Sequence, residues 1–250
     1  MTEVFVGTSG WMYGWNRGGS FTWYVENSKL NAVELNASFY RFPYPSQVSS
    51  WARKGRGLRW SVKVHRSITH MRKLSEKAFK AWRKFSKLFE PLDEYVDFYL
   101  FQMPPNFSAT DTNLDRVSNF IRMTNLGRRF AIEFRHQSWF KPELSEFISE
   151  LGAVYVSIDS PMITWISSSN GIIYLRMHGR TDWYAHDYSG VELRKIVEEM
   201  AAHQPKKIYV FFNNDHWMLE NARLMLKIMR KIFLKDSRGP HSDINGERVN

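Results

Sequence analysis

The sequence contains no cysteine and no long hydrophobic run, and each absence excludes a class of protein. Without cysteine the chain has no disulfide framework, no thiolate metal site and no cysteine nucleophile. No stretch of about 18 apolar residues occurs, and the start MTEVFVGTSGW lacks the basic and apolar regions of a signal peptide. We therefore expect a cytoplasmic protein with no membrane partner.

Glycine-rich phosphate loops are also absent. The early glycine cluster, GTSGW, has neither the GxGxxG nor the GxxxxGK spacing that brings backbone amides close to phosphates. The sequence therefore indicates no nucleotide cofactor.

The composition is that of a folded protein with an excess of positive charge. Of the 250 residues, 43% are hydrophobic and 16% aromatic, and 35 lysines and arginines stand against 25 acidic residues, a formal charge of +10. We expect one domain over residues 1–234 and a flexible polar tail over 235–250. The charge favours anionic partners, nucleic acid first among them, although a basic composition can serve solubility alone.

Short β-rich runs alternate along the chain with segments of helical period. Such alternation predicts parallel βα units, and eight of them in a chain of this length predict an α/β fold with a single (β/α)8 TIM barrel. The eight runs are residues 3–8, 31–36, 58–64, 97–102, 130–134, 153–158, 172–177 and 207–213.

Polar residues recur at the carboxyl ends of these runs. Side chains alternate between the two faces of a strand, so Glu133 and Arg135 share one face and Ile132 the other. One face of a barrel strand points inward, and TIM-barrel active sites lie at the carboxyl ends. The set can form such a site, or a buried ion-pair network that fills the barrel mouth. It consists of Glu34, Lys63, Gln102, Glu133, Arg135, Asp159, Arg176, His178 and Asp215.

Several motifs occur in the order and spacing of a known family. They are VGTSGW, VELNASFYRFP, VKVHRSITH, LFQMPPNF, EFRHQSW, DSP, YLRMHGR and FFNND. On these motifs the chain resembles the domain of unknown function 72 family from Val6 to about residue 233. The resemblance implies a TIM barrel distantly like xylose isomerase and endonuclease IV, and it implies no particular activity.

The resemblance also implies a set of shared polar and aromatic positions. We expect those without a catalytic assignment to bind substrate. They are Thr8, Trp11, Asn36, Tyr40, Gln102, Arg135, His136, Trp139, Asp159, Arg176, Asn213 and Asn214.

Two carboxylates are the first candidates for catalysis. Glu34 and Glu133 come from the second and fifth runs, so they would face each other across the mouth. We expect neighbouring arginines to keep Glu133 ionised as a general base, and Glu34, enclosed by Trp11 and Tyr40, to hold a proton as the acid. Alternatively, each carboxylate is simply held by a neighbouring cation.

Lys63, His178 and Asp215 complete the catalytic candidates. A lysine that is desolvated beside a cation can act as a Schiff-base nucleophile, although such a lysine more often neutralises a phosphate or carboxylate. A divalent metal is another possibility, since histidine and carboxylates suit Zn, Mn or Mg. Cations in the same mouth would compete with it, so we expect no obligatory metal. The four candidate ligands are Glu133, Asp159, His178 and Asp215.

The segment after the third run carries a row of lysines beside an apolar stripe. A solvated helix face is the usual explanation of such a row, but solvated faces generally mix charges of both signs, so contact with a nucleic-acid backbone competes. Loop aromatics such as Trp183 and Tyr184 can stack on extruded bases or sugar rings, or pack over the barrel. The lysines of this basic row are Lys73, Lys77, Lys80, Lys84 and Lys87.

Together these features favour a metal-independent enzyme that acts on nucleic acid, DNA rather than RNA. A repair-type glycosylase, lyase or nuclease would extrude a nucleotide into the mouth. The alternatives are a hydrolase or isomerase of a small carbohydrate or of another anionic metabolite, phosphorylated or carboxylated, and a nucleic-acid-binding module without catalysis.

The basic row gives a direct test of the nucleic-acid hypothesis. Replacement of Lys73, Lys77, Lys80 and Lys84 by Gln should weaken binding to any nucleic-acid sequence and flatten its salt dependence by about one unit of slope per lost phosphate contact. Folding should not change. Anisotropy titrations at several salt concentrations measure both quantities, and an unchanged affinity would identify the row as a solvated face.

Overall fold

The computed structural model describes residues 1–233, and their strands and helices alternate as the sequence predicts. The tail expected over 235–250 lies outside the described residues. The strands are β1 (Glu3–Thr8), β2 (Ala32–Leu35), β3 (Arg59–Lys63), β4 (Val96–Gln102), β5 (Phe130–Glu133), β6 (Val154–Asp159), β7 (Thr164–Trp165), β8 (Ile172–Met177) and β9 (Lys207–Phe212).

Eight of these strands form one parallel barrel, so the predicted fold class is confirmed. Their order is β1-β9-β8-β6-β5-β4-β3-β2, and the two-residue β7, which the sequence did not predict, pairs antiparallel with β6. The barrel closes between β1 and β2 through a single bridge from Ser9 to Glu34, where the Gly10 amide donates to the Glu34 carbonyl at 2.8 Å. The closing seam therefore lies at the carboxyl ends of the strands.

Seven α-helices surround the barrel within residues 1–233. Serine caps begin two of them: Ser20 Oγ accepts from the Trp23 amide, and Ser189 forms a reciprocal capping box with Glu192. The helices are α1 (Phe21–Asn27), α2 (Pro45–Lys54), α3 (Glu76–Lys87), α4 (Asp111–Thr124), α5 (Pro142–Glu150), α6 (Gly190–Ala202) and α7 (Met218–Phe233). None of the helices in residues 1–233 is long and apolar enough to span a bilayer.

The interior of the barrel is apolar near the amino ends of the strands and polar near their carboxyl ends. In β8, Ile172 and Tyr174 pack in the inner cluster, whereas Ile173 and Leu175 pack outward against the helix layer. Arg176 continues the inward face and begins the polar layer. The inner cluster also contains Ala32, Phe98, Leu100, Ala131, Val154, Val156, Tyr209 and Phe211. These apolar side chains fill the amino end of the barrel, so polar groups can act only at its carboxyl end.

The seam predicts a specific sensitivity at Gly7. A Cβ added there would lie 2.3 Å from the Ala32 carbonyl oxygen, a backbone atom that cannot swing aside. Gly7→Ala should therefore destabilise the protein by roughly 1–3 kcal/mol or more. Gly14→Ala is the matched control, because a Cβ at Gly14 meets nothing within 4 Å. Denaturant unfolding measures both, and equal stability of the two variants would contradict the tight seam.

Candidate active site

Arg176 lies at the centre of the barrel mouth and joins two carboxylates. Its guanidinium is fully buried and donates from Nε (3.0 Å) and Nη2 (2.6 Å) to the two oxygens of Glu34. Nη1 donates to Glu133 Oε2 at 2.5 Å. These charge-assisted bonds link β2 and β5, on opposite sides of the barrel, through a cation from β8.

Glu34 receives hydrogen bonds from all sides. Ser9 Oγ donates to Oε1 and the Tyr174 hydroxyl donates to Oε2 at 2.6 Å, in addition to the two bonds from Arg176. Ser61 Oγ lies 2.6 Å from the same Tyr174 hydroxyl. Every partner of the carboxyl is a donor, so the contacts suit a carboxylate, and they give no support to the predicted role of Glu34 as a proton donor.

The surroundings of Glu34 also differ from the expected ones. Trp11 does not cover the carboxyl but packs on Phe21, with ring centroids 4.7 Å apart. Tyr40 is 63% exposed. Ser9 and Tyr174 enclose the carboxyl instead, because their side chains share the inward face of the barrel with it.

Glu133 is ionised, as the sequence predicts. Burial by itself raises the pKa of this carboxyl, but the charges of Arg135 and Arg176 outweigh burial and hold the pKa well below its usual range. Oε1 forms an ion pair with Arg135 Nε, yet it receives no well-directed hydrogen bond from the described residues. This oxygen is therefore held by charge rather than by a directed hydrogen bond.

His178 is a neutral acceptor in the same layer. Its Nε2 lies 3.0 Å from Arg135 Nη2, and a guanidinium can only donate, so Nε2 accepts. A neutral imidazole carries one ring proton, which then lies on Nδ1, and the Asn213 side-chain amide, whose Nδ2 position is 3.2 Å away, must present its oxygen there to accept it. Burial, followed by the charge of Arg135, holds the pKa of His178 well below its usual range. Nε2 therefore has no proton to give to Glu133 Oε1, 3.3 Å away.

Lys63 is the cation of the mouth that lacks a partner. Its side chain is 6% exposed, and among the described residues Nζ makes no ion pair or hydrogen bond and lies 4.4 Å from the ring centroid of Phe39. Burial, followed by the charge of Arg176, lowers the pKa of the Lys63 amine to about 7. Near neutral pH this amine is therefore often unprotonated.

The other charges of the mouth explain why Lys63 has no counterion. Glu34 and Glu133 supply two negative charges, and Arg135 and Arg176 supply two positive ones. A fifth charge would be an excess cation in a buried cluster, which is costly without a counterion.

The central residues of the predicted site lie close together in the structure, as the sequence predicts. Glu34, Lys63, Glu133, Arg135, Arg176 and His178 all converge at the carboxyl end of the barrel. Gln102 ends β4 in register with Glu133, and Asn213 contacts His178. The alternation argument thus located this polar cluster.

Asp159 and Asn214 do not belong to this cluster, contrary to the sequence prediction. Asp159 accepts from Arg180 Nε (3.1 Å) and from the Tyr188 hydroxyl (2.5 Å), and so anchors the loop after β8. Asn214 donates to the His186 carbonyl and to Asn221, both at 2.7 Å. Both side chains are used for loop structure away from the mouth.

Thr8, His136 and Trp139 are likewise engaged elsewhere. Thr8 is fully buried and donates to the Gly10 carbonyl at 2.7 Å, because its neighbour in sequence takes the inward position. His136 accepts from the Ser138 amide and caps a short helical turn. Trp139 is fully buried, with its ring stacked 3.8 Å from that of Phe134. We therefore correct the expectation that these three residues contact substrate in the mouth.

The four proposed metal ligands are not brought together. Glu133 and His178 are neighbours, but Asp159 pairs with Arg180, and the Asp215 side chain is 48% exposed and has only His216 as an ionic partner, at 3.9 Å. Over residues 1–233 no three His, Asp or Glu side chains cluster closely enough to hold an ion. Between the two glutamates, where a cation would be favoured, lies the guanidinium of Arg176.

The basic row is only partly helical. Lys77, Lys80, Lys84 and Lys87 lie on one exposed face of α3, but Lys73 precedes the helix with a positive φ of 45° and is half-buried. Since α3 follows β3, it starts at the mouth and runs down the barrel wall. The row therefore points away from the mouth along the side of the molecule.

Three residues of the site were not assigned a site role from the sequence, although Ser9 belongs to the motif VGTSGW. Ser9, Ser61 and Tyr174 complete the hydrogen bonding around Glu34. Tyr174 lies on the same inward face of its strand as Arg176, and Ser61 lies on the same face as Lys63. The alternation of side chains along a strand could therefore have identified Tyr174 and Ser61 as site residues. A tyrosine within an apolar run and small serines are, however, ordinary core residues.

The rim of the mouth carries the exposed aromatics that the sequence indicated. The Trp183 ring lies 4.7 Å from the Arg135 guanidinium and 5.7 Å from the His178 ring. Trp183 is 38% exposed. His70 contacts the edge of Phe39 and has its pKa lowered to about 4, by burial first and then by Lys63. The entrance is thus aromatic and basic.

Comparisons with known proteins agree with this architecture. The family model described as "Protein of unknown function DUF72" matches residues 5–242. The UPF0759 protein YunF of Bacillus subtilis (strain 168) is 24% identical, over 90% of this chain and 94% of its own. A DUF72 family protein (TM1631) from Thermotoga maritima MSB8 has a similar structure, with a TM-score of 0.75 and 26% identity, over 93% of this chain and 99% of its own. A xylose isomerase domain containing protein (stm4435) from Salmonella typhimurium LT2 has a TM-score of 0.59 and 14% identity, over 93% and 97% of the two chains.

The unpaired amine predicts that Lys63→Met stabilises the fold. The pKa of the Lys63 amine is about 7 in the folded chain and 10.5 in the unfolded chain, so between these pH values the unfolded chain binds more protons and parental stability rises with pH. Below pH 7 the full cost of a buried ammonium is present. The variant should therefore gain roughly 1–3 kcal/mol at about pH 6, and less towards pH 10.

Denaturant unfolding at several pH values measures this gain. Lys227→Met, on the exposed face of α7, is the control and should change stability little at any pH. A Lys63→Met variant that is less stable than the parent at pH 6 would show that the amine has a stabilising partner.

Proposed function

The chain belongs to the DUF72 family, and from the barrel mouth just described we propose that it is a metal-independent enzyme for a small anionic carbonyl or sugar-type metabolite. One observation carries the proposal. Lys63 presents an amine, buried and without a partner among the described residues, beside two carboxylates that are already paired with arginines. An amine kept free in this way is the group that covalent chemistry at a carbonyl requires.

The proposed reaction begins with addition of Lys63 Nζ to the substrate carbonyl. The nitrogen lone pair forms the C–N bond, and the carbonyl oxygen leaves as water with the two hydrogens of the amine, so that an imine remains. Protonation of the imine nitrogen weakens the C–H or C–C bond at the adjacent carbon. An isomerase or a lyase follows from the same intermediate, according to which bond is broken.

Glu133 and Arg135 have distinct roles in this scheme. Glu133 Oε1, which lacks a directed hydrogen bond from the described residues, accepts the proton removed next to the imine. Arg135 is 9% exposed, and Nη1 has no partner among residues 1–233, so it is placed to hold a carboxylate or phosphate of the substrate. Glu34 remains a structural partner of Arg176.

The position of Arg176 supports a metal-independent reaction. Two carboxylates facing each other across a barrel mouth would suit a divalent cation, but here the guanidinium already takes up both of them. The similarity to a xylose isomerase domain protein is consistent with a sugar-like substrate, yet at 14% identity it concerns the fold alone. The substrate class rests on the amine and on the charged groups around it.

A nucleic-acid function is the second candidate, favoured by the basic row on α3. Its four exposed lysines share one face of α3, where Glu76 is the one acidic residue among them. That face runs along the barrel wall, so a nucleic acid lying on it would not cross the mouth. Binding along α3 and chemistry at Lys63 would then be separate properties.

Reductive trapping tests the amine. With pyruvate or glycolaldehyde phosphate and cyanoborohydride, one adduct should form, and peptide mass spectrometry should locate it on Lys63. Its rate should rise about tenfold between pH 6 and pH 8, because the fraction of neutral amine rises through a pKa of about 7.

Two variants give this experiment its controls. Lys63→Met should abolish the adduct, whereas Lys227→Met should leave it unchanged, since exposed lysines are almost fully protonated at these pH values. Labelling spread evenly over surface lysines, or a rate that does not change with pH, would overturn the assignment of Lys63.

A further inference from the structure

A cavity lies beside the mouth, between the loops that follow β1 and β2. Its volume is about 590 Å³, within the size range of small-molecule sites. Five aromatic residues contribute rings to its wall, and Arg41 is its single charged lining residue among residues 1–233. The rings belong to Trp11, Tyr13, Phe21, Tyr40 and Trp51.

The rings of this aromatic cavity are held in place by one another. Trp11 packs against Phe21 at 4.7 Å and meets Trp51 edge-on at 5.6 Å, with an interplanar angle of 79°. Trp11 is almost fully buried, while Tyr40 is 63% exposed at the opening. A wall of fixed rings suits a flat apolar guest, which loses little freedom when it stacks there.

Most polar side chains of the wall are already engaged. Ser38 Oγ donates to the Lys63 carbonyl at 2.6 Å, and Ser20 Oγ accepts from the Trp23 amide. Gln47 Oε1 accepts from the Tyr44 amide. A sugar would need several free donors and acceptors around its hydroxyls, so these serines and this glutamine do not provide a sugar site.

Asn36 is the exception among the polar wall residues. Its Oδ1 is buried and has no hydrogen-bond partner among the described residues. Leaving a buried acceptor unpaired is unfavourable, so a donor supplied by a ligand would stabilise the complex. Asn36 lines the cavity together with the rings.

We infer that the aromatic cavity binds a planar nitrogen heterocycle that carries an N–H donor and an anionic substituent. The ring stacks between Trp11 and Tyr40, the N–H donates to Asn36 Oδ1, and the anionic group lies near Arg41 at the rim. The family motifs include Trp11, Asn36 and Tyr40, but they do not distinguish this cavity from the mouth, since it is built from two loops whose residues are far apart in the chain.

The cavity adjoins the mouth through residues that belong to both. Ser9 lines the cavity and donates to Glu34, and the Tyr13 hydroxyl donates to the Ser9 carbonyl at 3.0 Å. Phe39, beneath Lys63, meets the Tyr40 ring edge-on at 5.0 Å. If the heterocycle is the non-reacting end of the substrate, an assignment that rests on the proposed function, the reacting carbonyl reaches Lys63.

Calorimetric titration with indole-3-carboxylate tests the site directly. This probe has the flat ring, the N–H and the carboxylate, and we expect saturable binding at millimolar concentrations or below. Tyr40→Ala should weaken it by at least about fivefold. Tyr44→Ala is the matched control, because Tyr44 is also 63% exposed but does not line the cavity, and it should change the affinity little.

Two further probes test the chemistry of recognition. 2-Naphthoate has the ring and the carboxylate but no N–H, so it should bind more weakly to the parent, and Asn36→Leu should remove the difference. Xylose should not compete with either probe. The inference is overturned if indole-3-carboxylate fails to bind, if Tyr40→Ala and Tyr44→Ala weaken it equally, or if xylose displaces it.

The connection to Lys63 is tested separately. Reductive trapping of indole-3-pyruvate should be slowed by Tyr40→Ala, whereas trapping of pyruvate should not. Equal effects on both would overturn the connection. Binding of indole-3-carboxylate does not depend on Lys63, so a failure of the proposed reaction and a failure of the cavity inference give different results.

Discussion

The structure depends on one buried guanidinium held between two carboxylates. Removing Arg176 from water is costly, and the cost is offset only because Glu34, Glu133 and Ser9 take up its donors. The glutamates come from strands on opposite sides of the barrel, so this pairing fixes the width of the mouth. Glu34 also lies at the seam between β1 and β2. The contacts of Glu34 therefore contribute both to barrel closure and to the polar layer at the mouth.

The same cluster determines the state of Lys63. Once each carboxylate has its arginine, a further cation has no counterion, and burial displaces its proton. On the proposed function, the pairing of its neighbours prepares this amine for reaction without any direct contact to them. A buried group of this kind lowers the stability of the fold.

Two kinds of surface meet at the carboxyl end of the barrel. The mouth is charged and enclosed, while the neighbouring cavity is walled by rings and has one unsatisfied acceptor. A ligand with a polar reacting end and a flat heterocyclic end is complementary to both. The basic row on α3 is remote from this junction, so a small ligand accounts for the junction without it.

The sequence by itself determined the barrel and the position of its mouth, because alternation within a strand and the lengths between strands are local properties. It placed Glu133, Arg135, Arg176 and His178 on one inward face for this reason. It could not orient Asp159, since both faces of β6 are fully buried and either one could have pointed inward. Nor could it show that Arg176 takes up both glutamates and leaves Lys63 unpaired. That choice belongs to the tertiary structure, because buried charges select partners by distance across the barrel and not by separation along the chain.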